Sequence, residues 1–520
     1  MLDVWSWLCE LHALDLPQAL ELASSKPVRA STARMVRLQV RDGGGDSVAF
    51  VICMEGFENS LEEVLWVSEV GKLSSEKPFL PFVIQMLQDI LLDSPAAQDV
   101  MCRQPQARDI SPEPVAWLMD SYSQESFSVF FDLVLLIRLF RQCVFDSPSE
   151  VGSFYFDSLL GPNVEPLLRN DRPVLRAFLA AVGTDTERQF TRAVGYMLTK
   201  WLISREIGLG VGLWSVRGLV PVHHNVAVSY VNEAHGLWVM KGFVPVEAMR
   251  VTRSSRHPMH SHILDAKDSV LKYILAHQQL EVVVQLEYSV RFHDGYIRVS
   301  ARIDNVRLHV VRLGLGNDNN DSEMSFANER HFPSRVRVWV GPEEGARYVG
   351  GLTLGRSTGN VSREVETERV MKGAFGNSKV PQVKAVARTS TRTKTAAWRW
   401  DQDAEGNSAV FDAVLSDTAT GWEVASLGAD RDGETFRRRY MGANRLFTKS
   451  GGVVFGADAY GDGVEWRLSR EMEGSVLKWR IGGQVWLSYL PNDVKTSFFE
   501  TRVVEWGGEV DLPLMQGKQS

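Results

Sequence analysis

The sequence predicts an α+β chain in two parts. A mainly α-helical domain spans 1–206, with a short hairpin at 34–54. A large antiparallel β-sandwich or barrel-like domain follows over 207–515, with one inserted helix near 267–277. Three observations carry this reading. From 58 to 204 the apolar residues recur at helical spacing, and Phe127–Phe145 is apolar nearly all round, as in a helix at the centre of a bundle. Beyond Ile207–Leu213 (IGLGVGL) the apolar period changes to two. The change is clearest in Leu280–Val311, where Val282, Val284, Leu286, Tyr288 and Val290 alternate with polar positions up to Asp294-Gly295 and the alternation resumes at Ile297. That is the pattern of a long antiparallel hairpin with one buried face.

In chain order, residues 1–24 look helical, with Pro17 as an interruption, and Arg34–Val40 and Ser47–Met54 form a hairpin around Gly43-Gly44-Gly45. Ser111, Pro148, Pro162 and Pro173 punctuate the helices that follow. In the second part, strands are expected at Val226–Val231, Gly236–Lys241, Arg335–Val340, Ala346–Leu354, Lys394–Trp400, Ala409–Ser416, Gly421–Ser426, Val464–Arg470, Ser475–Ile481, Gln484–Tyr489 and Glu500–Trp506. Gly482-Gly483 and Asp417–Thr420 are the expected hairpin turns.

Length and charge bound the rest. The 520 residues carry a net charge of −7, divided as −9 over 1–205 and +2 over 206–520, so neither part is basic enough as a whole for a nucleic-acid protein. All four cysteines lie in the first 150 residues without metal-type spacing, the pattern of reduced, buried thiols. The start MLDVWSWLCELHALD lacks the basic opening of a leader, and the run Phe127–Phe140 is interrupted by Asp132 and Arg138. A soluble, cytoplasmic protein is expected, with peripheral membrane association open to it.

Three stretches carry candidate chemistry. Residues 330–402 hold 14 Lys/Arg against 6 Asp/Glu, and 379–399 holds six cations and no acid. Lys384, Arg388, Arg392, Lys394 and Arg399, with Trp398 beside them, are the candidate binding residues of this basic loop. Cations beside an aromatic suit RNA or an anionic lipid headgroup. A solvated connector with core tryptophans explains the same residues. His257, His260 and His262 (HPMHSH), near Asp265 and Asp268, are the residues a zinc or iron site would use, although their spacing matches no common ligand pattern. In Asn317–Glu329, Asp318, Asn320 and Glu329 sit at calcium-loop offsets, but Glu323 stands where the turn wants Gly. The wet face of the central hairpin adds Arg291, Arg298 and Arg302 beside Glu287 and Asp304. Neither GxSxG, GxxxxGKS, HExxH nor CxxC occurs, and Ile207–Leu213 lacks the strand–turn–helix setting of a phosphate loop, so no cofactor is expected.

The second half resembles a family of uncharacterised land-plant proteins. The runs that carry this are VPVEAMRVTRSSRHPMHSHILDAKDSVLKYILAHQQLEVVVQLEYSVRFHDGYIRVSARIDNVRL (244–308), ERHFPSRVRVWVGPE (329–343), TRTKTAAWRWDQDAEGN (391–407) and EMEGSVLKWRIGGQVWLSYLPN (471–492). The resemblance covers most of 205–515 and implies a plant origin and a single-chain, non-membrane unit. It transfers no catalytic or ligand residue. The expectation is a non-catalytic interaction or scaffold protein that binds a protein partner through surface loops of the β domain. One alternative is a metal-assisted hydrolase using the 257–262 histidines; another is a peripheral binder of anionic lipid or RNA through the 379–399 loop.

Overall fold

The computed structural model describes residues 3–11, 19–25, 33–57, 62–93, 110–170, 172–206, 228–234, 236–246, 270–313, 326, 328–355, 363–375, 383–395, 398–416, 423–426, 451–456, 463–492, 496 and 498–515. It opens with helix α1 (Val4–Glu10), then an antiparallel sheet of β1 (Ala19–Ser24), β2 (Met35–Gly44), β3 (Ser47–Glu55), β4 (Glu63–Val67) and β5 (Gly71–Lys72). The strand order is β1-β2-β3-β4, with β5 also on β3. The expected 34–54 hairpin is present as β2–β3, turning at Gly44 and Gly45, whose φ of 92° and 69° suit a residue without Cβ. Two expectations are corrected here. Residues 19–24 are strand rather than helix, and 63–67 is a strand ahead of the first bundle helix. Six- and five-residue runs such as ALELAS and EVLWV are too short to separate the two periods; pairing to β2 and β3 decides them.

Seven helices follow: α2 (Leu80–Asp93), α3 (Pro112–Ser121), α4 (Gln124–Val144), α5 (Ser149–Phe154), α6 (Gly161–Asn170), α7 (Arg172–Ala181) and α8 (Thr184–Glu206), with a π-helical stretch at Tyr155–Leu160. Ser123 starts α4 by accepting from the Ser126 amide, satisfying one of the orphan donors of the first turn. Thirteen of the 21 residues of α4 are buried, so it forms the centre of the bundle as its all-round apolar sequence requires. Trp5 of α1 packs on Phe79, Phe127 and Phe131 at centroid distances of 4.6–5.9 Å.

The remaining strands are β6 (Val228–Ala234), β7 (Leu237–Pro245), β8 (Gln278–Phe292), β9 (Tyr296–Arg312), β10 (Phe332–Pro342), β11 (Val349–Thr353), β12 (Arg363–Phe375), β13 (Val383–Thr395), β14 (Trp398–Glu405), β15 (Ser408–Leu415), β16 (Gly452–Gly456), β17 (Val464–Ser469), β18 (Val476–Tyr489) and β19 (Glu500–Pro513). Residues 270–276 are helical just before β8, as expected. One sheet runs β11-β17-β9-β8-β7-β6 with β16 also on β9; a second runs β14-β15-β10-β18-β19; β12 and β13 form a third of two strands. The fold class is therefore α+β with antiparallel sheets. One buried cluster draws on both larger sheets, taking Val284 and Val299 from the first and Val338 and Trp479 from the second. Helices α7 and α8 cover β6–β8, where Lys241 reaches Glu187 at 2.7 Å and Arg192 reaches Glu281 at 2.9 Å.

The central hairpin β8–β9 has 15 register pairs, and its burial alternates along β8. Three other expectations change. Gly482-Gly483 is not a turn: β18 runs straight through it. A Cβ on Gly482 would lie 2.5 Å from the Trp339 ring, and one on Gly483 would lie 2.5 Å from the Trp506 ring. The glycines make room for two indoles crossing the strand. Residues 424–426 form a 3₁₀ turn after a single bridge of Ser416 to Glu423, not a strand. The basic 379–399 loop is also largely strand, as β13 shows.

Candidate functional site

The residues singled out by sequence divide between two places. Lys384, Arg388, Arg392 and Lys394 all lie on β13, and its register sets them opposite Ala374, Val370, Glu366 and Glu364. Trp398 and Arg399 open β14, at the edge of the second sheet. Trp398 is half-buried against Phe455 at 5.1 Å, Trp400 is buried beside the same ring, and Arg399 is exposed. The tryptophans thus pack inward instead of forming a stacking platform. His257, His260 and His262, with Asp265 and Asp268, lie outside the described residues, as do Asp318 and Asn320. Glu329 is 1% exposed and accepts from the Tyr489 hydroxyl at 2.7 Å and the Asn492 amide at 3.0 Å, which makes it a structural carboxylate rather than an open ligand.

The wet face of β8–β9 is joined by β17. Register places Arg467 opposite Arg298, and Arg298 opposite Arg291; the next row is Glu465, Ser300 and Ser289; the one after pairs Arg302 with Glu287. Arg298 has Glu465 at 3.8 Å and donates to the Tyr296 hydroxyl at 3.3 Å, while Arg467 lies over the Tyr296 ring at 5.1 Å. Arg302 and Glu287 form an ion pair. Ser289 and Ser300 share a hydrogen bond of 2.8 Å. These serines floor a cleft of about 410 Å³, walled by Glu287, Arg302, Glu465 and the turn of Thr353–Gly355. Asp304 is the extra residue of a bulge in β9, where Gln285 pairs with Asn305 and Leu286 with Ile303, so it falls outside the register that sets Arg302 opposite Glu287.

Two further groups of titratable side chains are engaged with protein partners. His331 is fully buried, with Nδ1 2.8 Å from Gln278 Oε1 and Nε2 2.9 Å from Glu500, which also accepts from Arg502. Burial drives the imidazole below its ordinary value against the pull of Glu500. With both ring nitrogens engaged and no hydroxyl or thiol on either, this is a strut from the residue before β10 to β8 and β19. Among the described residues, Cys53, Glu55 and Glu62 bring ligand-type atoms within 4.8 Å of one another. Arg37 holds Glu55 at 3.1 Å and Gln39 holds Glu62 at 3.0 Å. Burial, and then Glu62, push the Cys53 thiol up to about 12, so the thiolate a metal needs is disfavoured.

No family model matches the chain, and no curated protein matches it. Among solved structures it is similar to two toxins of Clostridium perfringens. The membrane-inserted form of NetB toxin aligns at 9% identity over 55% of this chain and 94% of that one, with a TM-score of 0.17. Delta-toxin aligns at 7% identity over 56% and 90%, with a TM-score of 0.20. At those scores the likeness assigns neither fold nor activity to the chain.

Among the described residues no helix is long and apolar enough to cross a membrane. Of the features above, the arginine row is the one that sequence reading reached only in part. Arg291 and Arg298 are visible on the hairpin, but Arg467 lies about 170 residues further on, and only the pairing of β17 with β9 places it beside them.

Proposed function

We propose that the protein is a non-catalytic interaction protein, a helical unit joined to a β-sandwich, that engages its partner through the β12–β13 ribbon. The observation that carries this is the isolation of the ribbon. Its strands form 13 register pairs with each other and, among the described residues, pair with no third strand. A two-stranded ribbon is marginal alone, and its two outer edges, unpaired among the described residues, offer backbone donors and acceptors as a template for strand addition. Register also sets Glu364 at the position opposite Lys394 and Glu366 at the position opposite Arg392. The basic stretch found in the sequence thus acts as a strand edge rather than as a loop.

A second reading is favoured by the ribbon's dyad pattern. Within β12 and β13 the even positions hold eight charged residues, and the odd positions hold Thr, Val, Met, Ala, Gly and Phe, with Arg363 and Arg369 as exceptions. A membrane-crossing strand needs roughly 9–11 residues alternating in this way, and its backbone is satisfied only in a closed barrel. On this reading several copies would pool their ribbons in a bilayer.

Replacing 363–395 with a short Gly-Ser linker tests both. Sedimentation and pull-down of the full chain should show association that the linker variant loses while its melting temperature stays unchanged. Dye release from phosphatidylserine-containing vesicles, lost in the same variant, would select the barrel. Association undiminished by the replacement would refute the ribbon as the contact.

A further inference from the structure

The arginine row of β8, β9 and β17 is independent of the ribbon and points to a small-molecule site. Like charges on directly opposite strand positions are destabilising, yet Arg291, Arg298 and Arg467 occupy three such positions in succession. Arg291 and Arg467 are exposed, and among the described residues neither pairs with a carboxylate. Glu465 meets only the middle arginine, at 3.8 Å. A sheet that accumulates forked donors in this way has room for an anion. The planar guanidinium matches an oxyanion bidentately, and neighbouring strands stand about 4.8 Å apart, so adjacent forks can share one tetrahedral group.

What surrounds the row is suited to a polyol. About 7 Å along the strands, two residues away, lies the Ser289–Ser300 pair, flanked by Glu287 and Glu465. Carboxylates accept from hydroxyl groups, and serine both donates and accepts. On the other side of the row the His293 and Tyr296 rings stack at 4.6 Å, with Arg467 over the Tyr296 ring. The cleft volume of about 410 Å³ falls in the range of small-ligand pockets.

We infer that this cleft, together with the arginine row beside it, binds a sugar or similar polyol carrying a phosphate or sulfate ester, the ester on Arg291, Arg298 and Arg467 and the hydroxyl groups over Ser289, Ser300, Glu287 and Glu465. Calorimetric titration of the full chain with glucose 6-phosphate, glucose 6-sulfate, glucose and inorganic phosphate tests it. At least one ester should bind ten-fold or more tightly than glucose or inorganic phosphate, and the better ester identifies the oxyanion. The pair Arg291→Gln and Arg467→Gln should weaken that binding at least ten-fold with an unchanged or raised melting temperature, since like charges are removed. Lysine at both positions should restore only part, because charge returns without the fork. In the unaltered protein, raising salt from 0.05 to 0.3 M should weaken ester binding several-fold through screening. Failure of both esters to bind, binding by inorganic phosphate as tight as by the esters, salt-insensitive binding, or glutamine variants that bind normally would each overturn the inference.

Discussion

Asp132 offers the sharpest test of the helical unit. It sits in the middle of α4, 1% exposed, where its Oδ1 accepts from the Val4 amide at 3.2 Å. Burial, its largest influence, raises the carboxyl from 3.8 to about 8, partly countered by that amide. The native state therefore keeps Asp132 protonated through neutral pH, while the unfolded chain ionises above its ordinary value. A group whose folded value is raised contributes its stability fully below the unfolded value and loses it as pH rises towards the folded one. At 1.36 kcal/mol per unit, the 3.2 units between 3.8 and pH 7 correspond to about 4 kcal/mol, lost progressively from about pH 4 to 7. Asp132→Asn removes the titration and keeps the acceptor, at a pH-independent cost of about 1–3 kcal/mol for its buried amide donors. Urea unfolding of both proteins, followed by far-UV circular dichroism from pH 4.5 to 8, should show the variant weaker at the acid end and stronger at the alkaline end. A stability difference that stays constant with pH would refute the buried, protonated carboxyl.

His277 should show the opposite slope. It is fully buried, and burial, then Lys200, then Arg312 hold it well below 6.5, while Nδ1 lies 2.9 Å from the Tyr273 carbonyl. Below about pH 6.5 the unfolded chain takes up a proton that the native imidazole refuses, so stability falls with acidification; a His277→Asn variant should lose that dependence when unfolding is repeated from pH 7 to 5. Gly483→Ala should destabilise by about 1–3 kcal/mol in urea titration, because its Cβ would press on the Trp506 ring and on the Arg337 carbonyl at 2.8 Å. Trp506→Leu should relieve part of that loss if the ring is the obstacle.

How far the sequence carried depended on whether a signal was local. The β8–β9 hairpin was legible because a buried face spread over 15 pairs leaves an alternation too long to mistake. The bundle was legible through α4, whose apolar surface has no wet side. By contrast β1 and β4 are too short to show a period, and their strand state is imposed by pairing. Gly482-Gly483 read as a turn because Gly-Gly usually is one; the reason for glycine, the passage of Trp339 and Trp506, lies 143 residues upstream and 23 downstream. The 379–399 stretch read as a loop because its alternation sets cations mostly against Thr and Ala rather than large apolar residues, whereas register with β12 supplies the strand. The candidate site followed the same rule. Two of the three row arginines were visible on the hairpin, and the third needed the sheet.

The contact of β6 and β7 with β19, across the two sheets, has a temporal consequence. Trp238 donates to the Asp511 carbonyl at 3.2 Å across 273 residues, and Ser229 donates to that of Gly507 at 2.6 Å across 278. At roughly 5–20 residues per second of synthesis, about 14–55 s separate the making of β7 from the making of its cover. Through that interval the helices can already shield one face of the nascent sheet, while Val231 and Trp238 wait on the other. Contacts this distant also slow the final closure of the two sheets. The chain thus spends much of its birth with an open apolar face, and a holding chaperone would be needed during translation more than after release.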